Sequence, residues 1–218
     1  MKILVYVEGI SDKLAMEKLL EPLISEAITG GVAIKFIAIG NKKKLLSTVP
    51  IKGANITLND PQAYVIALPD LHPQNVLFPH RNYEELRDKL LSVFQETVKR
   101  KKKSRNCLNR FRVHCFKYEL ETLILTDKDV LLNYLNLKKT EIEWKIPVED
   151  QNFDNNPTQI LNRIFKEAGR NYKKNKTLYA PDLLSQLDYK EVSDVCQQNF
   201  KPFVEDLESI ISLHSLQR

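Results

Sequence analysis

Acidic side chains stand where three predicted strands of this chain end, and their spacing could build a metal site. They are Glu8 and Asp12 after the first strand, Asp70 at the end of the third, and Glu119 and Glu121 after the fourth. In open α/β sheets the carboxyl ends of parallel strands share one edge, and ligands bind there. We therefore expect these five carboxylates to converge on one rim, although they are far apart in sequence.

The chemistry that such a rim could perform follows from the repulsion between its charges. Neighbouring carboxylates disfavour one another's ionised form unless a cation neutralises them. Hard oxygen ligands suit Mg²⁺ or Mn²⁺, and a pair of such ions can promote hydrolysis of a phosphodiester. The alternative is structural, because a carboxylate at a strand end often caps a helix and an acid in a first turn suits the helix dipole. Spacing alone leaves both interpretations open.

The elements that must position these acids follow the pattern of an α/β protein. Amphipathic helices are expected from Ser11 to Gly30, over 82–103, and over the ELETLILTD segment that follows the fourth strand. Residues 41–60 alternate charged and turn-forming groups, so we expect them to cross the edge of the sheet and assign no helix there. Four short runs rich in β-forming residues are predicted strands: 2–8, 32–40, 63–70 and 110–118. This order of strands and helices predicts a mostly parallel sheet covered by helices.

The strand signal fades after about residue 135, and the rest of the chain has helical periodicity. We predict an α/β domain over 1–135 and a helical C-terminal extension over 136–218 that packs on it. Helices are expected in four stretches of this extension: 157–168, 179–187, 189–196 and 200–213.

Positive charge is concentrated in one short run, although the net charge of the chain is only +5. Its candidate phosphate contacts are Lys101, Lys102, Lys103 and Arg105. These residues could bind a nucleic-acid backbone without sequence preference. They could equally well complement the dipole at the end of the preceding helix. Both interpretations stay open.

Cysteine usage and apolar run lengths predict the setting of the chain. The three cysteines form no CxxC pair, so neither a zinc cage nor a disulfide framework is indicated, and a reducing cytoplasmic setting is favoured. No apolar run approaches the roughly 20 residues that cross a bilayer, so no membrane association is expected. Neither GxGxxG nor GxxxxGK occurs, so if this protein works in an energy-driven system, another polypeptide must hydrolyse the ATP.

Several motifs resemble those of known families. VEGISD, followed by a helix and by a strand that ends in ALPDLH, resembles the TOPRIM domain of topoisomerases, primases and the overcoming-lysogenization-defect nucleases. HCFKYELETLILTD resembles the signature of a TOPRIM-like bacterial family, the domain of unknown function 4276, which is often encoded beside an AAA-type ATPase in phage-defence operons. The later segments NYKK and CQQNFKPFVEDLESI are similar to further motifs of that family.

The resemblance implies a TOPRIM-like Rossmannoid sheet and a role for each matching residue. Asp127 matches an aspartate of the signature at a helix end, where a structural role is the alternative. Tyr172 and Lys174 would face the scissile phosphate, with Lys174 as a positive clamp. The implied metal ligands are Glu8, Asp12, Asp70, His72, Glu119 and Glu121, and the implied catalytic residues are Glu8, Asp70, Glu121 and Lys174.

Two positions depart from the family pattern. His72 stands where the second aspartate of an Asp-x-Asp pair is usual, and imidazole ligates Mn²⁺ better than Mg²⁺. The usual Pro-Ser-Lys-Arg after the central loop reads Pro157-Thr158-Gln159-Ile160, so two positive charges are missing.

These observations lead to two main hypotheses about function. The first is a metal-dependent TOPRIM-type endonuclease that hydrolyses DNA or RNA in a phage-defence system with an AAA-type ATPase partner. The second, motivated by His72, is a catalytically inactive regulatory or binding subunit with the same fold. A nucleotidyl or phosphoryl transferase is a third alternative, and the sequence leaves a homodimer open.

Overall fold

A computed structural model of the chain describes residues 1–75, 78–101, 105–151 and 155–215. Within these ranges the strands form one four-stranded sheet in the order β2-β1-β3-β4. Every neighbouring pair in this sheet is parallel. The predicted parallel α/β fold with C-terminal helices is therefore confirmed. The strands are β1 (Lys2–Val7), β2 (Ala33–Ala38), β3 (Ala63–Ala67) and β4 (Phe111–Val113).

Helices cover both faces of the sheet, because alternate residues of each strand point to opposite sides. Ile3 and Val5 of β1 belong to the larger hydrophobic core, whereas Tyr6 belongs to the smaller one. In the described residues the α-helices are α1 (Ile10–Leu19), α2 (Glu21–Thr29), α3 (Lys42–Asn59), α4 (Tyr83–Arg100), α5 (Lys128–Leu135), α6 (Pro157–Glu167), α7 (Lys176–Leu184), α8 (Tyr189–Val195) and α9 (Phe200–Ser215).

No helix was predicted over 41–60, and that prediction is wrong, because α3 occupies almost all of the segment. Asn41 caps the start of this helix, because its side chain accepts the Lys44 N–H at 2.9 Å. Pro50 and Gly53 lie inside the helix and hid its periodicity. Gly53 is needed for close packing, since a Cβ atom there would lie 2.7 Å from the ring of Phe111.

Two other boundaries differ from prediction. The single helix expected from Ser11 to Gly30 is two helices that meet at Leu20. Pro22 lies in the first turn of α2, a position that suits proline. The fourth strand is three residues long, and the ELETLILTD segment forms a 3₁₀ helix over Leu120–Thr126. The fourth strand therefore ends at Val113, well before Glu119 and Glu121.

The C-terminal helices share the larger core with the sheet. Phe165, Leu184 and Phe203 are all buried in the same cluster as Ile3 and Val5. The division of the chain at residue 135 stays a prediction. Among the helices of the described ranges, none combines the length and the apolar character that crossing a membrane requires.

Candidate metal centre

Glu8 and Asp70 meet at the carboxyl edge of the sheet. Glu8 directly follows β1, and Asp70 lies three residues beyond β3, the parallel neighbour of β1. The Asp70 N–H donates to Glu8 Oε1 at 3.0 Å. Asp70 Oδ1 in turn accepts the Leu120 N–H at 3.2 Å, which connects this pair to the segment after β4.

Asp12 lies in the first turn of α1 and also takes part in the acidic cluster. Its Oδ2 accepts the Gly9 N–H at 2.8 Å, and its Oδ1 accepts the Ser11 hydroxyl at 3.1 Å. The same Oδ1 lies 3.5 Å from Lys176 Nζ. The helix-capping role and the place in the cluster therefore coexist in this residue.

The pair after β4 contributes the most deeply buried acid of the cluster. Glu119 Oε1 accepts the Thr158 N–H at 3.0 Å, at the start of α6. Glu121 is fully buried, and its Oε1 accepts the Tyr172 hydroxyl at 3.0 Å and lies 2.9 Å from Lys176 Nζ. Its Oε2 is buried and has no hydrogen-bond partner among the described residues. An ionised oxygen left in that position is costly unless a cation reaches it.

Two lysines that the sequence analysis did not single out accompany these acids. Lys176 is the first residue of α7 and contacts Asp12 and Glu121. Lys42 begins α3, is buried, and donates through Nζ to the carbonyl oxygens of Leu71 at 3.0 Å and Pro73 at 2.6 Å. Lys42 therefore holds the loop that directly follows Asp70.

The pKa values of the acids reflect burial and mutual repulsion. Burial raises the pKa of Glu8 to about 7, although the nearby charge of Lys42 opposes this rise. Burial and then the charges of Glu8 and Asp12 raise the pKa of Asp70 well above its ordinary value. The pKa of Glu119 is raised by burial and by its neighbour Glu121. The cluster therefore resists accumulating negative charge in the absence of a further cation.

The pKa values of the two lysines are shifted in opposite directions. Burial lowers the pKa of Lys42, which the charges of Glu8 and Asp70 only partly offset. For Lys176 burial also acts to lower the pKa, but the charges of Glu121 and Asp12 outweigh it and raise the pKa. Lys176 is therefore a firmly charged ammonium group inside the cluster.

The donor chemistry of the cluster fits a divalent cation. Carboxylate oxygens are the ligands that Mg²⁺ and Mn²⁺ prefer. Glu121 Oε2 has no hydrogen-bond partner among the described residues, so it is free to act as such a ligand. Within the described ranges, no three His, Cys, Asp or Glu side chains are already placed as the ligands of one metal ion. Binding would therefore require the carboxylates to close around the ion.

Tyr172 is completely buried beside Glu121, and its predicted contact with the scissile phosphate stays a prediction. Its hydroxyl holds Glu121, and burial together with the charge of Glu121 raises the pKa of the phenol well above its ordinary value. Tyr172 is therefore a positioning residue for Glu121. Lys174 lies exposed on the 3₁₀ helix Lys173–Asn175. It is Lys176, two residues further on, that contacts Asp12 and Glu121.

Tyr172→Phe is expected to lower the free energy of unfolding by about 1–3 kcal/mol, because it removes the hydroxyl donor from a buried carboxylate. For a chain of this size the melting temperature should fall by about 2–4 °C per kcal/mol. The matched control is Tyr134→Phe, whose hydroxyl donates to the exposed Asp182 at 3.4 Å, with an expected change below about 0.5 kcal/mol. Equal small losses in both variants, measured by urea unfolding, would contradict the positioning role.

Other predicted residues lie beside the cluster or apart from it. The ring of His72 stacks on Tyr118 with 4.3 Å between centroids. Burial and the charge of Lys42 lower the pKa of His72, so the neutral imidazole that can bind metal is favoured. Asp127 caps α5 by accepting the Val130 N–H at 2.9 Å, which accounts for it structurally.

The basic run is only partly described. Lys101 is exposed at the end of α4. Lys102 and Lys103 lie outside the described residues. Arg105 begins a 3₁₀ helix, but the structure does not describe its side chain. The predicted phosphate contacts of these four residues therefore stay predictions.

Comparison with known proteins gives one family and a set of distant structural likenesses. The family model described as Domain of unknown function (DUF4276) matches residues 7–208. The C-terminal region of the Xanthomonas campestris pv. campestris OLD protein is 16% identical with a TM-score of 0.49, over 99% of this chain and 96% of that one. The C-terminal region of the Burkholderia pseudomallei OLD protein is 13% identical with a TM-score of 0.47, over 97% and 98%. A search of curated proteins finds no significant match.

Proposed function

The chain belongs to the family of the domain of unknown function DUF4276, and we propose that this member is a divalent-metal-dependent nuclease of TOPRIM type that hydrolyses phosphodiester bonds in nucleic acid. The observation that carries the proposal is the buried Glu121 Oε2, which lacks a partner inside a cluster of carboxylates at the carboxyl edge of the sheet. A buried, unpartnered carboxylate oxygen is expensive in a protein that has no cation to place against it.

Each residue of the cluster has a proposed part in holding the ion. Glu8, Asp70 and Glu121 would be its principal ligands, and Asp12, Glu119 and His72 complete the candidate set. When bound, Mg²⁺ or Mn²⁺ would supply positive charge for the phosphate and make water a stronger nucleophile at neutral pH. Mn²⁺ would be favoured if His72 takes part, because imidazole suits it better.

The chain's own cations would position the substrate. Lys176 presents a charged ammonium at the rim and would contact a phosphate oxygen of the substrate, where its charge stabilises the negative charge that develops during hydrolysis. Exposed Lys174, together with Lys101, Lys102, Lys103 and Arg105, would contact backbone phosphates farther away.

The setting of the activity is also a proposal. We infer a cytoplasmic protein from its three cysteines, which form no CxxC pair, and we infer a role in phage defence with an AAA-type ATPase partner from its resemblance to the DUF4276 family. A homodimer is compatible with this arrangement. Whether DNA or RNA is cut is decided by the assay below.

The proposal is tested by incubating the purified chain with single- and double-stranded DNA and RNA, in Mg²⁺, Mn²⁺ or a chelator. We expect cleavage that requires a divalent cation and disappears in Glu8→Ala prepared in the same way. Equal cleavage by wild type and Glu8→Ala would indicate a contaminating nuclease and contradict the proposal.

An inactive regulatory subunit is the second candidate, and a specific observation favours it. Lys42 and Lys176 already place positive charge near the acids, and the described ranges hold no ready-made set of three ligands. This candidate predicts that millimolar Mn²⁺ produces no binding heat in calorimetry. It also predicts that Glu8→Ala still associates with the ATPase partner.

A further inference from the structure

Lys176 occupies a place inside the acidic cluster that a metal ion would also claim. Its Nζ lies 2.9 Å from Glu121 Oε1 and 3.5 Å from Asp12 Oδ1. The side chains of Glu121 and Asp12 are 0% and 6% exposed, so water screens these contacts little. Lys176 itself is 30% exposed, which leaves its ammonium a route to solvent.

The oxygens of Glu121 differ in their free capacity. Oε1 already accepts the Tyr172 hydroxyl and contacts Lys176, whereas Oε2 is unpartnered among the described residues. A divalent cation could reach Oε2, but it would then lie on the carboxylate that the ammonium also contacts. Two positive ions on one buried carboxylate repel each other strongly, because the interior screens charge weakly.

We propose that Lys176 is an internal counter-ion that competes with the divalent cation for Asp12 and Glu121, so that the metal binds as the ammonium withdraws. This inference rests on the proposed metal site and deepens it. It explains why the acids are not already arranged as a ligand set, since the ammonium holds Glu121 and Asp12 in its own geometry. It also predicts that the wild-type chain binds metal more weakly than its five carboxylates alone would.

The test is the affinity for Mn²⁺, measured by calorimetry on the full chain without nucleic acid. Lys176→Met should bind Mn²⁺ at least about tenfold more tightly than wild type, a coupling within the usual range for two interacting sites. Lys174→Met makes the same change of charge two residues away on an exposed side chain, and should stay within about twofold of wild type. Lys176→Arg keeps the charge and should not tighten binding.

A second measurement works on the wild-type chain and needs no variant to fold. Lys176 should react slowly with an amine-acetylating reagent in the absence of metal, and faster once Mn²⁺ is added, as followed by peptide mass spectrometry. Exposed Lys174 in the same digest should react equally fast in both conditions.

The outcomes separate this inference from the proposed function. If wild type binds Mn²⁺ but Lys176→Met binds it no more tightly, or if metal does not change the labelling of Lys176, the competition is refuted and the metal site stands. If neither wild type nor any variant binds Mn²⁺, the metal site itself is refuted, and the competition with it.

Discussion

Glu121→Gln is expected to lower the rate of divalent-cation-dependent cleavage by about a hundredfold to a thousandfold. Glutamine keeps the size of the side chain but removes the charge from the only fully buried acid of the cluster. The unpartnered Oε2 then becomes part of a neutral amide, which is a weak ligand for a hard cation. The measurement is the single-turnover cleavage rate at saturating Mn²⁺, together with the Mn²⁺ affinity of the same protein.

The matched control for this variant is Glu17→Gln. Glu17 lies on α1 with 38% of its side chain exposed, and its Oε1 lies 3.8 Å from Lys13 Nζ. The substitution removes one negative charge from the helix that also carries Asp12. Cleavage should stay within about twofold of wild type, because solvent and salt screen exposed charges. Equal losses in Glu17→Gln and Glu121→Gln would show that net charge, and not the buried ligand, controls the rate.

The metal-free protein should lose stability as the pH rises from about 4.5 to about 7, and Glu8 is a main cause. Its pKa is about 7 in the folded chain against an ordinary value of 4.5. Below pH 4.5 both the folded and the unfolded forms keep the proton, so Glu8 costs nothing. Between the two values the unfolded chain releases the proton while the folded chain retains it, which favours unfolding by up to about 3 kcal/mol. Above pH 7 this loss is complete and no longer changes.

The experiment compares wild type with Glu8→Gln by urea unfolding in chelator at several pH values. The variant cannot ionise at this position, so its stability relative to wild type should increase by about 3 kcal/mol between pH 4.5 and pH 7.5. Added Mn²⁺ should restore the stability of the wild-type protein at high pH, because it binds the ionised carboxylates of the folded state alone. A stability difference that stays constant with pH would show that Glu8 titrates normally.

The fold could be predicted from local pattern to a large extent. Each strand is a short run of β-forming side chains, and the period of two that separates Ile3 and Val5 from Tyr6 is visible in the sequence. Helix α3 escaped prediction because Pro50 and Gly53 interrupt its pattern. Gly53 instead allows the close approach of Phe111, a residue more than fifty positions away.

The candidate site could be predicted only in part. A carboxylate at a strand end is a local feature, and parallel order carries Glu8 and Asp70 to the same edge, where the structure brings them into contact. Lys42 and Lys176 have no such local mark. The KKNK run 173–176 contains three lysines that the sequence does not distinguish. Only the packing of α7 against α1 places Lys176, and not Lys174, in contact with the acids.

The sequence by itself determined the parallel sheet and the placing of acids at strand ends, since both follow from residue order and from the alternation of side chains along a strand. Tertiary structure alone decided which acids are buried, which lysine stands among them and which oxygen has no partner. The physical reason is that desolvation and Coulomb energy sum over all neighbouring atoms in space, whatever their separation along the chain. The exposed Lys174 and the buried contacts of Lys176, two residues apart, show that difference directly.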